Sequence, residues 1–360
     1  MMEAAERRQR VIESFQHLKL DAAVISGLPN VRYLTGFTGS NGLVLLAAGT
    51  AILYTDPRYT MQAAQETDCK VQTIPKGSLN AGAVKQIGRK RWKRIGIEGS
   101  RITYAAYREM RDGLGQRATL VSTANLVENE RMVKSEAEIT RIRQSVQTNS
   151  RALERALRTI TPRTTEAELA GEIEYQMRKL GAEKPSFETI VASGERSALI
   201  HAHPTGKVVA TDQLLLIDMG AMQDGYASDM TRTLHVGRAR PKARKLYKAV
   251  LEAQLAAIEA VREGVAASAV DKGARDVLRK HGFERYFVHS TGHGLGLEIH
   301  EPPRLGKRDK TRLKAGMAIT IEPGAYIEGF GGVRIEDTVV VTKTGCEVLT
   351  PTPKELTIIE

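Results

Sequence analysis

Asp218, Asp229, His293, Glu322 and Glu336 are the residues of this chain whose types and company suit them best to chemistry. They lie in five short phrases, LLLIDMGA, ASDMTRT, STGHGLGLEIHEPP, ITIEPGAY and GGVRIEDTVVV, each in or beside an apolar run of β type. An ionised carboxylate buried alone costs several kcal/mol, so four in one neighbourhood demand a cationic counterpart. A pair of divalent ions meets that demand, because an oxygen-rich set with one imidazole suits manganese, cobalt, iron or zinc. Two such ions roughly 3.5–4 Å apart are a recurrent means of activating water for hydrolysis. The five residues therefore point to a dinuclear metal site with hydrolytic chemistry.

Their spacing shows how they can meet. Asp218 and Asp229 flank the turn signal Gln223-Asp224-Gly225. A hairpin folded about the Gln223/Asp224 junction sets the two acids opposite or nearly opposite, with Cβ atoms about 4.5–5.5 Å apart. Glu322 and Glu336 are centred on Gly329 and repeat the arrangement with longer arms. His293 comes from the loop between the two hairpins. Gly292, Gly294 and Gly296 lack the dinucleotide-binding spacing and are expected to permit the backbone turns that aim His293.

The elements that must position these residues follow from helix and strand punctuation. Ser135-x-x-Glu138 reads as a capping box opening a helix to about residue 159, and Thr165-x-x-Glu168 opens another that Gly181 closes. Strands are expected over 189–192, 214–219 and 229–236. The order then recurs: a helix from Pro241 to Gly264, another over 267–280, and strands over 318–322 and 333–341. Two helices followed by a ligand-bearing hairpin, twice over, predict two pseudo-equivalent halves that bring their hairpins to one centre. Ahead of them lie a helical stripe at Val11, Ile12, Phe15 and Leu18, short β-like runs at 22–25, 43–47 and 51–55, and a helix over 58–67. Further strands over 71–74, 95–98 and 119–121 complete a self-contained α/β domain ending near 124. It holds no concentration of metal-ligand types.

Length and composition agree with this division. At 360 residues two domains are the natural expectation, and 41% hydrophobic content is enough for full cores. The longest apolar runs are too short to cross a bilayer, and the opening MMEAAERRQRVIESFQ is charged and amphipathic rather than a secretory signal. Cys69 and Cys346 form no metal or redox spacing, which suits free thiols in the cytoplasm. The net charge of +11 and the run Arg89-Lys90-Arg91-Trp92-Lys93-Arg94 raise a nucleic-acid role. With a single tryptophan and no recognised binding motif, a solvated basic surface is the expectation, without a specific nucleic-acid partner and without a membrane.

STGHGLGLEIHEPP, IEPGAY and GGVRIEDTV together resemble the aminopeptidase P and prolidase family of pita-bread metallopeptidases. SGERSALIHAHPT and IDMGAMQDGYASDMTRT match its first half, and YLTGFTGSNG and LYTDPRY resemble its non-catalytic N-terminal domain. The resemblance implies an α+β protein: a pita-bread, creatinase/aminopeptidase-like catalytic domain over 130–360 behind a smaller creatinase-type α/β domain over 1–124. It also implies cleavage of the bond preceding proline, with two metal ions, manganese foremost and cobalt, zinc or iron as alternatives. Asp218, Asp229, His293, Glu322 and Glu336 are the implied ligands. Glu322 is implied as general base, His201, His289 and His300 as substrate and proton-transfer residues, and Tyr326 and Arg334 in support. One departure is visible: Ile200 precedes His201 where the family often has proline.

Arg334, two residues before Glu336, is expected to share its strand face and to hydrogen-bond a ligand carboxylate. His289 and His300 are expected to orient substrate or stabilise the developing oxyanion, and His201 to contact the proline side. His203, His235 and His281 read as structural. The substrates implied are peptides with proline at the second position, and family members commonly form homodimers. The leading reading is an Xaa-Pro aminopeptidase, on the likeness of the N-terminal phrases to short bacterial forms. The alternative is an Xaa-Pro dipeptidase, which must also recognise the free carboxylate of proline. A more distant alternative, a binding protein that has lost catalysis on the same fold, conflicts with the intact ligand set.

Overall fold

The computed structural model describes residues 2–359, and the chain divides into two units after Arg131. The first unit is built on a six-stranded mixed sheet: β1 (Ala22–Ile25), β2 (Gly42–Ala47), β3 (Thr50–Thr55), β4 (Lys70–Thr73), β5 (Arg94–Glu98) and β6 (Thr119–Thr123), in the order β4-β3-β2-β1-β5-β6. Antiparallel pairing joins β1, β2 and β3, whereas β4, β5 and β6 add in parallel. Parallel neighbours need crossover connections. Helices Leu79–Lys90 and Tyr104–Leu114 lie between them in sequence and pack Ala83, Ile87, Met110 and Leu114 on Leu45 and Ile95. Those two helices, and Leu28–Thr35, went unread in the sequence. Ser78 and Thr103 cap them by accepting from Ala81 N and Ala106 N. The basic run 89–94 spans the exposed C-terminal end of one helix, where cations complement the helix dipole.

In the second unit both anticipated capping boxes form, on helices Glu136–Leu157 and Glu166–Lys179. These helices cover the sheet containing Ile190–Ser193, Gln213–Met219 and Met230–Val236. Helices Pro241–Ala260 and Ala267–Lys280 cover a second sheet, whose central strands are Ala318–Ile321 and Asp337–Val341. The repeat of two helices and a hairpin is thus present in space. Two expected elements differ. The Pro241 helix stops at Ala260, ahead of Gly264. The strand expected over 333–341 is broken into Gly331–Arg334 and Asp337–Val341, and the break carries Glu336.

Strand alternation decides which side chains face the site. Leu215, Ile217 and Met219 pack under the helices, so Asp218 points to the other face, where Leu216 lies against Tyr326. Met230 and Leu234 likewise take the helix side and leave Thr231 and Thr233 opposite. In the second half Ile319, Ile321, Val339 and Val341 fill the core, which turns Thr320, Glu322, Glu336 and Thr338 away from it. All four carboxylates therefore leave their strands on the faces that the helices do not cover.

Candidate metal centre

The second hairpin has the register its spacing predicts. Ile321 pairs with Asp337 and Gly324 with Arg334, so Glu322 and Glu336 stand across from each other in the break between two aligned ladders. The first hairpin is offset. Thr231, not Asp229, lies opposite Asp218, because the ladder turns about Asp224 and Gly225 rather than one residue earlier. Asp229 then sits two residues along the strand from Thr231, diagonal to Asp218.

The three central glycines of the His293 loop act differently from expectation. Gly292, Gly294 and Gly296 all avoid positive φ, so they aim no left-handed turn. They permit close approach instead: a Cβ at Gly292 would lie 1.9 Å from Thr320 O. His293 N donates to Thr320 Oγ1 at 3.1 Å, and its Nδ1, 2.9 Å from Gly294 O, must carry the proton. In the neutral ring the Nε2 lone pair then faces Asp229 Oδ2 and Glu322 Oε1, each 3.5 Å away.

Donor atoms of Asp229, His293 and Glu336 lie within 4.8 Å of one another, and Glu322 borders them through His293. Asp218 approaches from the other side, with Oδ2 bonded to Arg334 and Oδ1 buried without any hydrogen-bond partner. Burial, then the charges of Asp218 and Glu322, holds the Asp229 carboxyl well above the ordinary carboxylate range. Burial, then Asp229, Glu322 and Asp218, does the same to Glu336. Burial also raises Glu322, against the opposing pull of His293 and Arg334. Convergent carboxylates that cannot all ionise alone, one orphaned carboxylate oxygen and one imidazole presenting a free lone pair fit divalent cations.

The other anticipated residues surround this group. Arg334 also donates from Nη1 to the Tyr326 hydroxyl at 2.7 Å, and His289 Nε2 lies 2.9 Å from the same oxygen. Burial, then the Arg334 charge, pushes His289 down to about 4, so its imidazole is neutral at pH 7. Burial pushes Tyr326 up to about 12. The exposed His300 ring packs edge-on against His293 with centroids 4.5 Å apart. His201 is exposed too, close enough for its charge to bear on His289 and His300. Ile200, in the place often held by proline, packs beside the Leu216 and Tyr326 cluster.

Several supporting residues went unread in the sequence. Thr231 Oγ1 donates to Glu336 Oε2 at 2.7 Å, and Thr338 Oγ1 to Asp229 O at 2.9 Å. Each lies two residues from a candidate ligand on the same strand face, a parity signal available in TRT and EDT. Two buried acids hold the flanking loops. Glu166 accepts from Ser193 N at 2.8 Å, Ser193 Oγ at 2.9 Å and Thr205 Oγ1 at 2.8 Å. Asp271 accepts from Thr291 N at 3.2 Å and Thr291 Oγ1 at 2.8 Å, and pairs with Arg275 at 2.7 Å. Arg275 in turn donates to the backbone oxygens of Phe287 and His289. Ser193-Gly194 and Thr291-Gly292 are thus equivalent anchors in the two halves, one ahead of His201 and the other ahead of His293.

Paired α-β halves with a buried carboxylate and imidazole cluster between their hairpins define a metal-dependent hydrolase. Residues 140–343 match the metallopeptidase family M24, and residues 7–133 match the creatinase/prolidase N-terminal domain. A curated Xaa-Pro dipeptidase of Pyrococcus horikoshii is 38% identical over 352 residues, covering 98% of each chain. Among solved structures, an Xaa-Pro dipeptidase from Bacillus anthracis superposes with a TM-score of 0.96 at 39% identity, covering 99% of this chain and 100% of that one. An X-Pro aminopeptidase from Thermotoga maritima superposes at 0.91 with 36% identity, covering 98% and 100%. The chain belongs to metallopeptidase family M24, in its aminopeptidase P and prolidase branch. It is a metallopeptidase with a pita-bread catalytic domain behind a creatinase-type N-terminal domain.

Proposed function

We propose that the chain is an Xaa-Pro dipeptidase, cleaving the bond between a free N-terminal residue and a terminal proline. This takes the place of the aminopeptidase reading favoured by the N-terminal phrases. The carrying observation is Arg304, which lies directly opposite His293 in the antiparallel pair, is exposed, and forms no ion pair among the described residues. A dipeptidase needs a cation just beyond the scissile bond for the proline carboxylate, and a guanidinium suits that planar anion. An aminopeptidase acting on longer peptides has no such need. The names of the Pyrococcus and Bacillus relatives support the same choice.

In this reading Asp218, Asp229, His293, Glu322 and Glu336 hold two divalent ions, manganese foremost, with cobalt, zinc or iron as alternatives. Bound there, the ions acidify water and polarise the scissile carbonyl. Glu322 receives the proton that water gives up. His289 keeps its Nδ1 proton on Ser290 O, 2.8 Å away, and its Nε2 accepts from Tyr326. Neutral and fixed, it orients substrate rather than carrying charge. His300 and His201, at the exposed rim, donate to the substrate carbonyl and to the proline side. We place the enzyme in the cytoplasm as a homodimer. Its two free cysteines, Cys69 and Cys346, suit a reducing compartment.

The test is a length series on manganese-loaded protein: Ala-Pro, Ala-Pro-amide and Ala-Pro-Ala. Ala-Pro should be the preferred substrate, and Arg304→Gln should raise its KM while leaving the KM of Ala-Pro-amide in place. Faster release of alanine from Ala-Pro-Ala than from Ala-Pro would return the reading to aminopeptidase P.

A further inference from the structure

A cavity of about 760 Å³ in the catalytic unit adjoins His289 and Ser290 and has a charge the roles above do not use. Arg285, Arg304, Lys307 and Arg308 line it, all exposed and none ion-paired among the described residues. Its two acids are engaged elsewhere. Glu284 pairs with Arg279 at 2.7 Å, and Asp309 accepts from the backbone N–H groups of Arg304 at 3.1 Å and Thr311 at 2.8 Å. Arg275, also in the wall, is committed to Asp271. Four cations therefore face a shared concavity in which, among the described residues, Asp309 is the one carboxylate without a cationic side-chain partner, so positive charge is in excess. A concave, low-dielectric wall focuses such a field and concentrates anions within it.

Resting on the Xaa-Pro dipeptidase reading, we propose that this cavity is an anion subsite that favours substrates with an acidic first residue, Asp-Pro and Glu-Pro. Arg304 is occupied by the proline carboxylate in that reading, which leaves Arg285, Lys307 and Arg308 without a substrate group. In an Xaa-Pro dipeptide only the first side chain can supply a second carboxylate. Glu-Pro and Gln-Pro have nearly the same shape, so a difference between them isolates charge.

The experiment measures kcat/KM for Glu-Pro and Gln-Pro, and for Glu-Pro-Ala and Gln-Pro-Ala, on metal-loaded wild type and the K307Q/R308Q variant at low and high salt. The ratio within each pair cancels any difference in active fraction between proteins. The wild-type Glu/Gln ratio should be roughly 5-fold or more at low salt, shrink as salt is added, and fall to about one in the variant. A wild-type ratio at or below one, or a ratio that the two substitutions leave in place, overturns the subsite. If only the longer peptides are cleaved, the dipeptidase reading fails while their ratio still decides the subsite. Cleavage of neither pair overturns both.

Discussion

Arg334 and Asp218 come from hairpins of opposite halves, and Arg334 Nη2 stands 2.6 Å from Asp218 Oδ2. The same guanidinium donates from Nε to Thr231 Oγ1 at 3.0 Å, and Thr231 passes a hydrogen bond to Glu336. Through Tyr326 it also reaches His289. One planar, fully buried cation thus fixes two of the proposed ligand carboxylates and a neighbouring imidazole. Lysine keeps the charge but cannot form that fork. Arg334→Lys should weaken metal affinity by roughly 10–100-fold, read by competition with a chelating dye, with the fold intact by circular dichroism. Wild-type affinity would show that charge alone suffices.

Chelation should abolish turnover and lower the melting temperature, because Asp218, Asp229, Glu322 and Glu336 are left to repel one another. The raised carboxyls of Asp229 and Glu336 add a sign that can be measured. Removing the ions should take up protons from the buffer, and metal affinity should rise with pH. Calorimetry in buffers of different ionisation enthalpy counts those protons. A count of zero would place both carboxylates in the ionised form without metal.

His300→Ala separates chemistry from metal binding. Its ring touches His293 only edge to edge, so the variant should keep both ions by elemental analysis. If it donates to the developing oxyanion, kcat and kcat/KM should fall together by roughly 10²–10³. Loss of metal would make it a ligand, and unchanged kinetics would remove it from the mechanism.

Glu166 gives the stability prediction. Burial alone would raise its carboxyl, but bonds from Ser193 and Thr205, with Arg196 beside it, hold it below the ordinary range. A depressed folded pKa stabilises above the unfolded value of about 4.3, and that contribution disappears as pH falls through the folded value. Glu166→Gln should cost about 2–4 kcal/mol at pH 7, and its stability should fall less steeply than that of wild type below about pH 4. Denaturant midpoints at pH 7 and below pH 4 provide the check. Parallel acid limbs in both proteins would mean that Glu166 is not the titrating group.

Much of the site was legible because metal ligands of these types rarely occur together in apolar strands. The centring of Glu322 and Glu336 on Gly329 gave their register directly, since two ladders in step leave no freedom between them. The turn between Asp218 and Asp229 was read one residue early, which shifts the partner of Asp218 by two, because Gln223-Asp224-Gly225 admits more than one turn position and only pairing with Thr231 selects one. The helices at 28–35, 79–90 and 104–114 were missed, although Ser78 and Thr103 mark the starts of the last two. The anchors Glu166 and Asp271 carry no local signal of their role. Each is one more acid on a helix until its loop folds back onto it.

The breaks that hold Glu322 and Glu336 also act as a seam. Glu336 N donates to Thr231 O at 3.1 Å, Arg334 N to Thr233 Oγ1 at 3.1 Å, and Arg232 reaches back to Glu336 O and Asp337. Neither half therefore owns a finished cation site. Half a catalytic domain offers two aspartates and none of the proposed imidazole ligands, while its counterpart lacks the partner strand that orients Glu336. High-affinity ion capture during refolding should consequently trail core formation, with stopped-flow dye displacement lagging behind tyrosine burial. Capture ahead of burial would mean that the ions template the closure. The order matters to a cell, because a chain that seals before it loads is shielded from the wrong cation only by the geometry it has already built.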